Sequence, residues 1–305
     1  MSTLVIRPAA PADAPAVVAL RASVYPYLVR GERAVRAMIE SPPAGEERAS
    51  FVAVTEPGRV VGWVVAHREL RVAEPGFGRI SLLHVHAAHR RRGIGNELFG
   101  AAREHLRGLG VSRVATIATA EAVGFARRHG FAPTREIRYS ALELSALPDL
   151  PVSPAQIRLV PLSEVDEATF YEADMAAATD EPGDAAPQPM PYESWRRDVW
   201  ENPDLDFDAS TVAVMGTKIA SFSLVLRDGD RVWSEITATV PQYRGRGLAL
   251  LVKTAALHRA AAVGAKVAYT SNDESNLPML AVNVRLGYRP VATQFSCTAT
   301  LPTTI

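Results

Sequence analysis

The residue patterning predicts an α/β fold of the mixed α+β type used twice: two tandem domains, each a mixed, mainly antiparallel sheet flanked by helices. Three observations predict it. The chain has 305 residues, about two ordinary domain lengths. Three landmarks recur in one order: Ile6-Arg7 as Ile157-Arg158, Arg90–Gly95 as Arg244–Ala249, and His129-Gly130-Phe131 as Leu286-Gly287-Tyr288, at offsets of 151, 154 and 157 residues. Between the copies, Pro148, Pro151 and Pro154 disfavour regular structure and place the border at 1–147 and 148–305.

Each element follows from its local pattern. Phe51–Thr55 and Val60–Arg68 are apolar and β-branched on either side of a Pro57-Gly58 turn, so they read as a strand pair. Ile80–His86 is the next strand. A helix from Gly93 to Gly110 aligns Ile94, Leu98, Ala102, Leu106 and Leu109 on one face. Val111–Ile117 then reads as a strand and Glu121–His129 as a helix closed by Gly130. The second copy repeats the order: strands Thr211–Met215, Ile219–Arg227 and Val232–Val240, helix Leu248–Val263, strand Val267–Ser271 and helix Ser275–Leu286.

Composition narrows the function. With 48% hydrophobic residues, either half can bury a core. The 33 basic and 33 acidic residues cancel, so no global charge draws the chain to nucleic acid or a membrane surface. No apolar run approaches the ~18 residues that span a bilayer, and the N-terminus lacks the pattern of a secretory signal. Cys297 is the sole cysteine, which forbids an intramolecular disulfide and fits a reducing compartment. These features point to a cytoplasmic monomer or homodimer with neither nucleic acid nor membrane as partner and no metal site. Lys218, Lys253 and Lys266 are the only lysines among 33 basic residues, a bias that suggests a GC-rich bacterial genome.

Each arginine-glycine turn follows a strand and opens a helix. The N–H groups of a helix N-terminus, aided by the macrodipole, form an anion site suited to a phosphate or pyrophosphate. Gly93 and Gly247 let the backbone approach such an anion without a β-carbon in the way. Neither turn is a Walker sequence, and neither completes a dinucleotide fingerprint. Glycines that merely end loops are the alternative for one copy; two copies at matched positions favour a ligand site.

A Val-x-Pro-x-x-Arg-Gly-x-Gly pattern after a strand is the signature of the GNAT superfamily of acyl-CoA-dependent N-acyltransferases. His86-Ala87-Ala88-His89-Arg90-Arg91-Arg92-Gly93-Ile94-Gly95 resembles it with alanine for the proline, and Val240-Pro241-Gln242-Tyr243-Arg244-Gly245-Arg246-Gly247-Leu248-Ala249 resembles it almost unaltered. The pairs Gly130-Phe131 and Gly287-Tyr288 are similar to the family's later motif. The resemblance covers nearly the whole chain, as two copies. It implies acetyl-CoA as cofactor and an amine of a small molecule or protein as acceptor. It also implies that Arg90, Arg91, Arg92, Gly93, Ile94, Gly95 and Asn96, and likewise Arg244, Gly245, Arg246, Gly247, Leu248 and Ala249, hold the pyrophosphate. Leu83, His84 and Val85, with Thr237, Ala238 and Thr239 in the second copy, would pair with the pantetheine arm. The thioester would sit where that strand and the next splay apart.

The chemistry asks for a base, because a free amine titrates near ~10.4. Glu235, on the strand before the second turn, is the base candidate, against an ordinary surface glutamate as the alternative. The first copy has Ser81 there, with His84 and His86 nearby and, by strand alternation, on one face. In many family members a tyrosine four residues before the last-motif glycine protonates the CoA thiolate. Ala126 and Asn283 stand there instead. Alanine cannot donate; asparagine donates a hydrogen bond and can orient CoA or a water. Asn276, Met279 and Asn283 share a helix face and, with Asn272, would serve cofactor amides, with helix capping as the alternative for Asn272 or Asn276. The second domain is therefore favoured as catalytic, through Glu235 and Asn283. The competing functions are a non-catalytic acyl-CoA sensor and an enzyme whose N-terminal domain is the active one. The acidic Asp174–Pro191 segment reads as a solvated loop, and Tyr192, Trp195 and Trp200 mostly as core.

Overall fold

The computed structural model describes residues 4–56, 58–180 and 182–301; Pro57 of the expected turn and Glu181 of the acidic segment lie outside these. The chain forms two compact units that interleave along the sequence. Unit 1 takes Met1–Glu136, Asp184–Ala186 and Gln294–Ile305, and unit 2 takes Ile137–Gly183 and Pro187–Thr293.

Unit 1 contains β1 (Leu4–Pro8), α1 (Ala14–Val24), α2 (Glu32–Glu40), β2 (Ala49–Thr55), β3 (Arg59–Arg68), β4 (Phe77–Val85), α3 (Ile94–Gly108), β5 (Arg113–Thr119) and α4 (Val123–Arg128). Next, β6 (Ala132–Glu143) leads into unit 2, with β7 (Ile157–Pro161), α5 (Glu167–Ala177), α6 (Tyr192–Trp195), β8 (Thr211–Met215), β9 (Lys218–Asp228), β10 (Arg231–Thr239), α7 (Leu248–Ala262), β11 (Val267–Asp273) and α8 (Leu277–Leu286). The last strand, β12 (Arg289–Thr300), ends back in unit 1.

The sheet of unit 1 runs β1-β2-β3-β4-β5-β12, antiparallel except for β4–β5. That of unit 2 runs β7-β8-β9-β10-β11-β6, antiparallel except for β10–β11. Each unit thus takes its sixth strand from the other copy of the repeat. Gln294–Thr300 lies along β5, and Ile137–Glu143 lies along β11.

Packing explains the strand patterns. β3 is buried without a break from Val60 to His67, because helices cover both faces of its sheet. On one face α3 buries Ile94, Leu98, Phe99, Ala102 and Leu106 against Val61, Val64, Ile80 and Val114. On the other, Val17, Leu20, Val35 and Met38 of α1 and α2 close over Val52, Trp63 and Val65. Cys297, Ala299 and Leu301 complete the first of these clusters. In unit 2, Ala256, Leu257 and Ala260 of α7 pack on Val225, Val232 and Ala268, with Leu142 and Leu144 from the chain that leaves unit 1.

The aromatics expected as core meet there: Trp195 is fully buried, and Phe170 stacks edge-on to Phe222 at 4.8 Å. The Asp174–Pro191 segment is less solvated than its composition suggests. Asp174 accepts from Trp195 Nε1 at 2.7 Å in unit 2. In unit 1, Asp184 accepts from Thr134 at 2.8 Å, Ser296 at 2.5 Å and Arg135. An acidic residue with donors waiting for it is a docking point, which composition alone does not reveal.

Candidate functional site

The two arginine-glycine turns fold alike. In unit 1, Arg91 (φ +61°) and Gly93 (φ +86°) both take the left-handed conformation, and in unit 2 Gly245 (+75°) and Gly247 (+73°) do so. Alternating left-handed residues curl successive N–H groups toward one point. Among the described residues, the amides of Arg91–Gly95 and of Gly245–Ala249 form no backbone hydrogen bond, so each turn offers a concave row of donors at the start of α3 or α7. The leading arginines have a second task. Arg90 Nε donates to Val85 O at 3.1 Å and Arg244 Nε to Thr239 O at 3.0 Å, clasping the end of the preceding strand.

Those preceding strands also deform alike. The register of β4 against β3 shifts between Trp63 and Val65, with Leu82 at φ +56°. The register of β10 against β9 shifts between Ser234 and Thr237. A bulge re-aims the strand beyond it. The parallel ladder β4–β5 covers only Phe77–Arg79 against Arg113–Ala115, and β10–β11 only Arg231–Trp233 against Val267–Tyr269. Past these points the strands part. Leu83, His84 and Val85, like Thr237, Ala238 and Thr239, lie on the freed stretches.

The two openings are lined differently. In unit 1 a pocket is walled by Leu83, Phe99, Ile117, Ala118, Phe125 and Ala126, among others, and is largely apolar. In unit 2 the residues at the same places in the elements are polar. Lys253 is the sixth residue of α7 as Phe99 is of α3, Asn272 the sixth of β11 as Ala118 is of β5, and Asn283 stands four before Gly287 as Ala126 stands four before Gly130. Lys253 Nζ donates to Asn283 Oδ1 at 2.8 Å, and Asn283 Nδ2 donates to Asn272 Oδ1 at 2.5 Å.

Residues 18–131 match the model of the Acetyltransferase (GNAT) family. That stretch of unit 1 is similar to a GNAT acetyltransferase domain. Over its whole length the chain has the fold of tandem GNAT proteins. A GCN5-related N-acetyltransferase from Sphaerobacter thermophilus superposes with a TM-score of 0.74 at 20% identity, covering 99% of this chain and 97% of that one. A tandem GNAT protein from the clavulanic acid biosynthesis pathway superposes with a TM-score of 0.74 at 21% identity, covering 99% of this chain and 100% of that one. The comparison with curated proteins gave no match.

The remaining residues expected at a GNAT site fall out separately. Glu235 is exposed within the bulge of β10, beside the opening of unit 2. Asn276 caps α8, accepting from Met279 N at 3.2 Å, which is why that helix starts at Leu277 rather than Ser275. Asn96 accepts through its amide oxygen from His129 Nε2 at 3.1 Å, which sets the ring tautomer with Nε2 protonated. His84 and His86 do not share a face. The bulge buries His84 in a stack on Tyr25, rings 5.3 Å apart, whereas His86 lies past the strand end and accepts from Ala88 N at 3.3 Å. Burial first, then the nearby Arg21 and Arg90 guanidiniums, push the His84 imidazole down to about 3, so it is neutral at pH 7. Its Nδ1 is buried and has no hydrogen-bond partner among the described residues. The same is true of Gln294 Oε1, while Gln294 Nε2 donates to Tyr27 Oη at 3.0 Å. Sequence reasoning missed Lys253, Tyr25, Tyr27 and Gln294. For Lys253 a signal existed: a lysine in an arginine-rich chain, set in a largely apolar helix.

Proposed function

We propose that the protein is a cytoplasmic, acetyl-CoA-dependent N-acetyltransferase that acts on a primary amine of a small molecule or protein by direct attack in a ternary complex, with catalysis in the C-terminal copy of a repeat divided at 147/148. One observation carries this reading: a turn with unengaged, inward-curled amides, set directly after a bulged strand that parts from its parallel neighbour, and built twice. That geometry suits a phosphate at one end and an extended thioester arm along the freed strand. Acetyl-CoA supplies the acetyl thioester: the amine nitrogen bonds the carbonyl carbon, the C–S bond breaks, and its electron pair leaves on sulfur.

In this reading the amides of Gly245–Ala249 receive the pyrophosphate, and the backbone of Thr237–Thr239 receives the pantetheine arm. Glu235 accepts the amine's proton, and a bulge N–H faces the oxyanion. Asn283 donates toward sulfur. Holding the two reactants in line supplies much of the rate, up to ~7–11 kcal/mol for an ideally placed pair.

A second reading places transfer in unit 1. It is favoured by the open apolar pocket there and by two buried, unpartnered acceptor-capable atoms, His84 Nδ1 and Gln294 Oε1, linked by the Tyr25–Tyr27 ring pair. Gly93→Glu and Gly247→Glu separate the two, since a carboxylate in either turn repels the pyrophosphate. Thiol release from acetyl-CoA across a panel of amines is expected to survive Gly93→Glu and to vanish in Gly247→Glu. The reverse pattern selects unit 1, and wild-type protein that neither binds acetyl-CoA nor releases thiol sinks both.

A further inference from the structure

Lys253 is a costly side chain to bury in unit 2. It is 1% exposed, and among the described residues no carboxylate pairs with it. Its ammonium donates to Asn283 and lies 4.9 Å from the centre of the Tyr288 ring. A buried ammonium without a counter-charge is retained against a large desolvation penalty. The fold itself does not ask for it. At the same three places in unit 1 stand Phe99, Ala118 and Ala126, with no polar atom in their side chains, and the strands, helices and turn form in the same way.

The placement of the trio says what it serves. Asn272 lies on β11 beyond the last residue paired to β10, Asn283 on α8 and Lys253 on α7, at the places whose unit 1 counterparts Ala118, Ala126 and Phe99 line the pocket. Asn283 accepts from Lys253 with its oxygen, which polarises its amide nitrogen. One hydrogen of that nitrogen goes to Asn272, and the second is left for a further acceptor. A developing anion is the acceptor that repays a cation held behind an amide.

We propose that Lys253, acting through Asn283, is a positioning residue that stabilises the sulfur of CoA as a thiolate when the C–S bond breaks. This rests on the reading that unit 2 binds acetyl-CoA. The negative charge formed on sulfur meets the Asn283 N–H, backed by the Lys253 ammonium, and no proton need cross at that moment. Burial alone moves the Lys253 ammonium down to about 7, so it is poised to gain a proton when an anion arrives. The groups in contact with it are neutral: Asn283 from α8, itself bonded to Asn272 of β11, and Tyr288, which is bonded to Ser234 of β10 and whose phenol burial pushes up, so it stays protonated.

The test reads protonation rather than turnover. CoA itself is added to the full-length protein, its affinity is measured, and the thiolate is followed by ultraviolet absorbance against pH. The wild type is expected to hold at least tenfold more thiolate than free CoA near neutral pH. Lys253→Met is expected to bring the thiol back to its free value while CoA affinity at low pH changes less than threefold. Equal thiol titration in wild type and variant overturns the proposal. Should Lys253→Met fail to fold, the wild type still decides: with only three lysines, the carbon-labelled Lys253 signal is resolvable by NMR. Its pKa is expected to rise by at least one unit when CoA binds; an unmoved Lys253 in CoA-bound protein overturns the proposal. Absence of any CoA binding defeats the acetyl-CoA reading first, and this inference with it.

Discussion

Lys253 and Asp184 contribute to the protein's response to pH in distinct windows at the scale of single residues. Lys253 titrates near 7 when folded and near ~10.4 in an unfolded chain, so between these values the unfolded state binds more protons. Stability therefore rises with pH across that window, by at most about 1.4 kcal/mol per pH unit, and a Lys253→Met variant lacks that rise. Urea midpoints at pH 7 and pH 9 check it; parallel changes in both proteins contradict the assignment. Asp184 behaves oppositely. Burial pushes its carboxyl up, but the hydrogen bonds from Arg135, Ser296 and Thr134 outweigh that and hold it at about 2. Its contribution is present above the unfolded carboxyl value of ~3.9 and is lost as pH falls toward 2. Asp184→Ala is expected to lower the melting temperature more at pH 7 than at pH 2.5, where part of the contribution is already lost, as read by calorimetry. Of these residues the sequence marked Asn283 by its motif position, yet it assigned no role to Lys253 or Asp184. Their importance comes from which partner stands opposite, and a partner 30 or 49 residues away leaves no local pattern.

At the scale of elements most of the design was legible. The strands and helices around both turns begin and end within a few residues of their expected places, because hydrophobic period and glycine punctuation are local signals. The bulges were not legible, since a register shift depends on both strands of a ladder, and so the parting of His84 from His86 was missed. Gly62 and Gly247 show two different uses of glycine. A β-carbon at Gly62 would stand 2.7 Å from Leu98 Cδ1, whereas one at Gly247 meets nothing within 4 Å but would sit at φ +73°. Gly62→Ala is expected to cost about 1–3 kcal/mol by pushing α3 off β3. Gly247→Ala is expected to cost about 1–2 kcal/mol through the backbone alone. Denaturant midpoints measure both, and equal stability of Gly62→Ala and wild type would show that α3 yields freely there.

For the whole molecule, the repeat was legible and the exchange of final strands was not, because two copies of one pattern do not say whose strand completes which sheet. The compact units require it: unit 1 closes with Gln294–Thr300 along β5, and Cys297, Ala299 and Leu301 sit in its core. A chain ending at residue 147 lacks all of these. It is expected to be insoluble or molten, and adding residues 148–305 in trans is expected to restore a cooperative transition. A well-folded 1–147 fragment on its own would refute this. The exchange also orders events in time. As the chain leaves the ribosome, the first half finishes emerging while its sixth strand is still untranslated, and at ordinary elongation rates the wait is roughly ten to thirty seconds. During that interval the edge of β5, with Val114 and Ala115 still uncovered, is open to any passing strand. Gln294–Thr300 thus closes an edge that stays open until those seven residues are made.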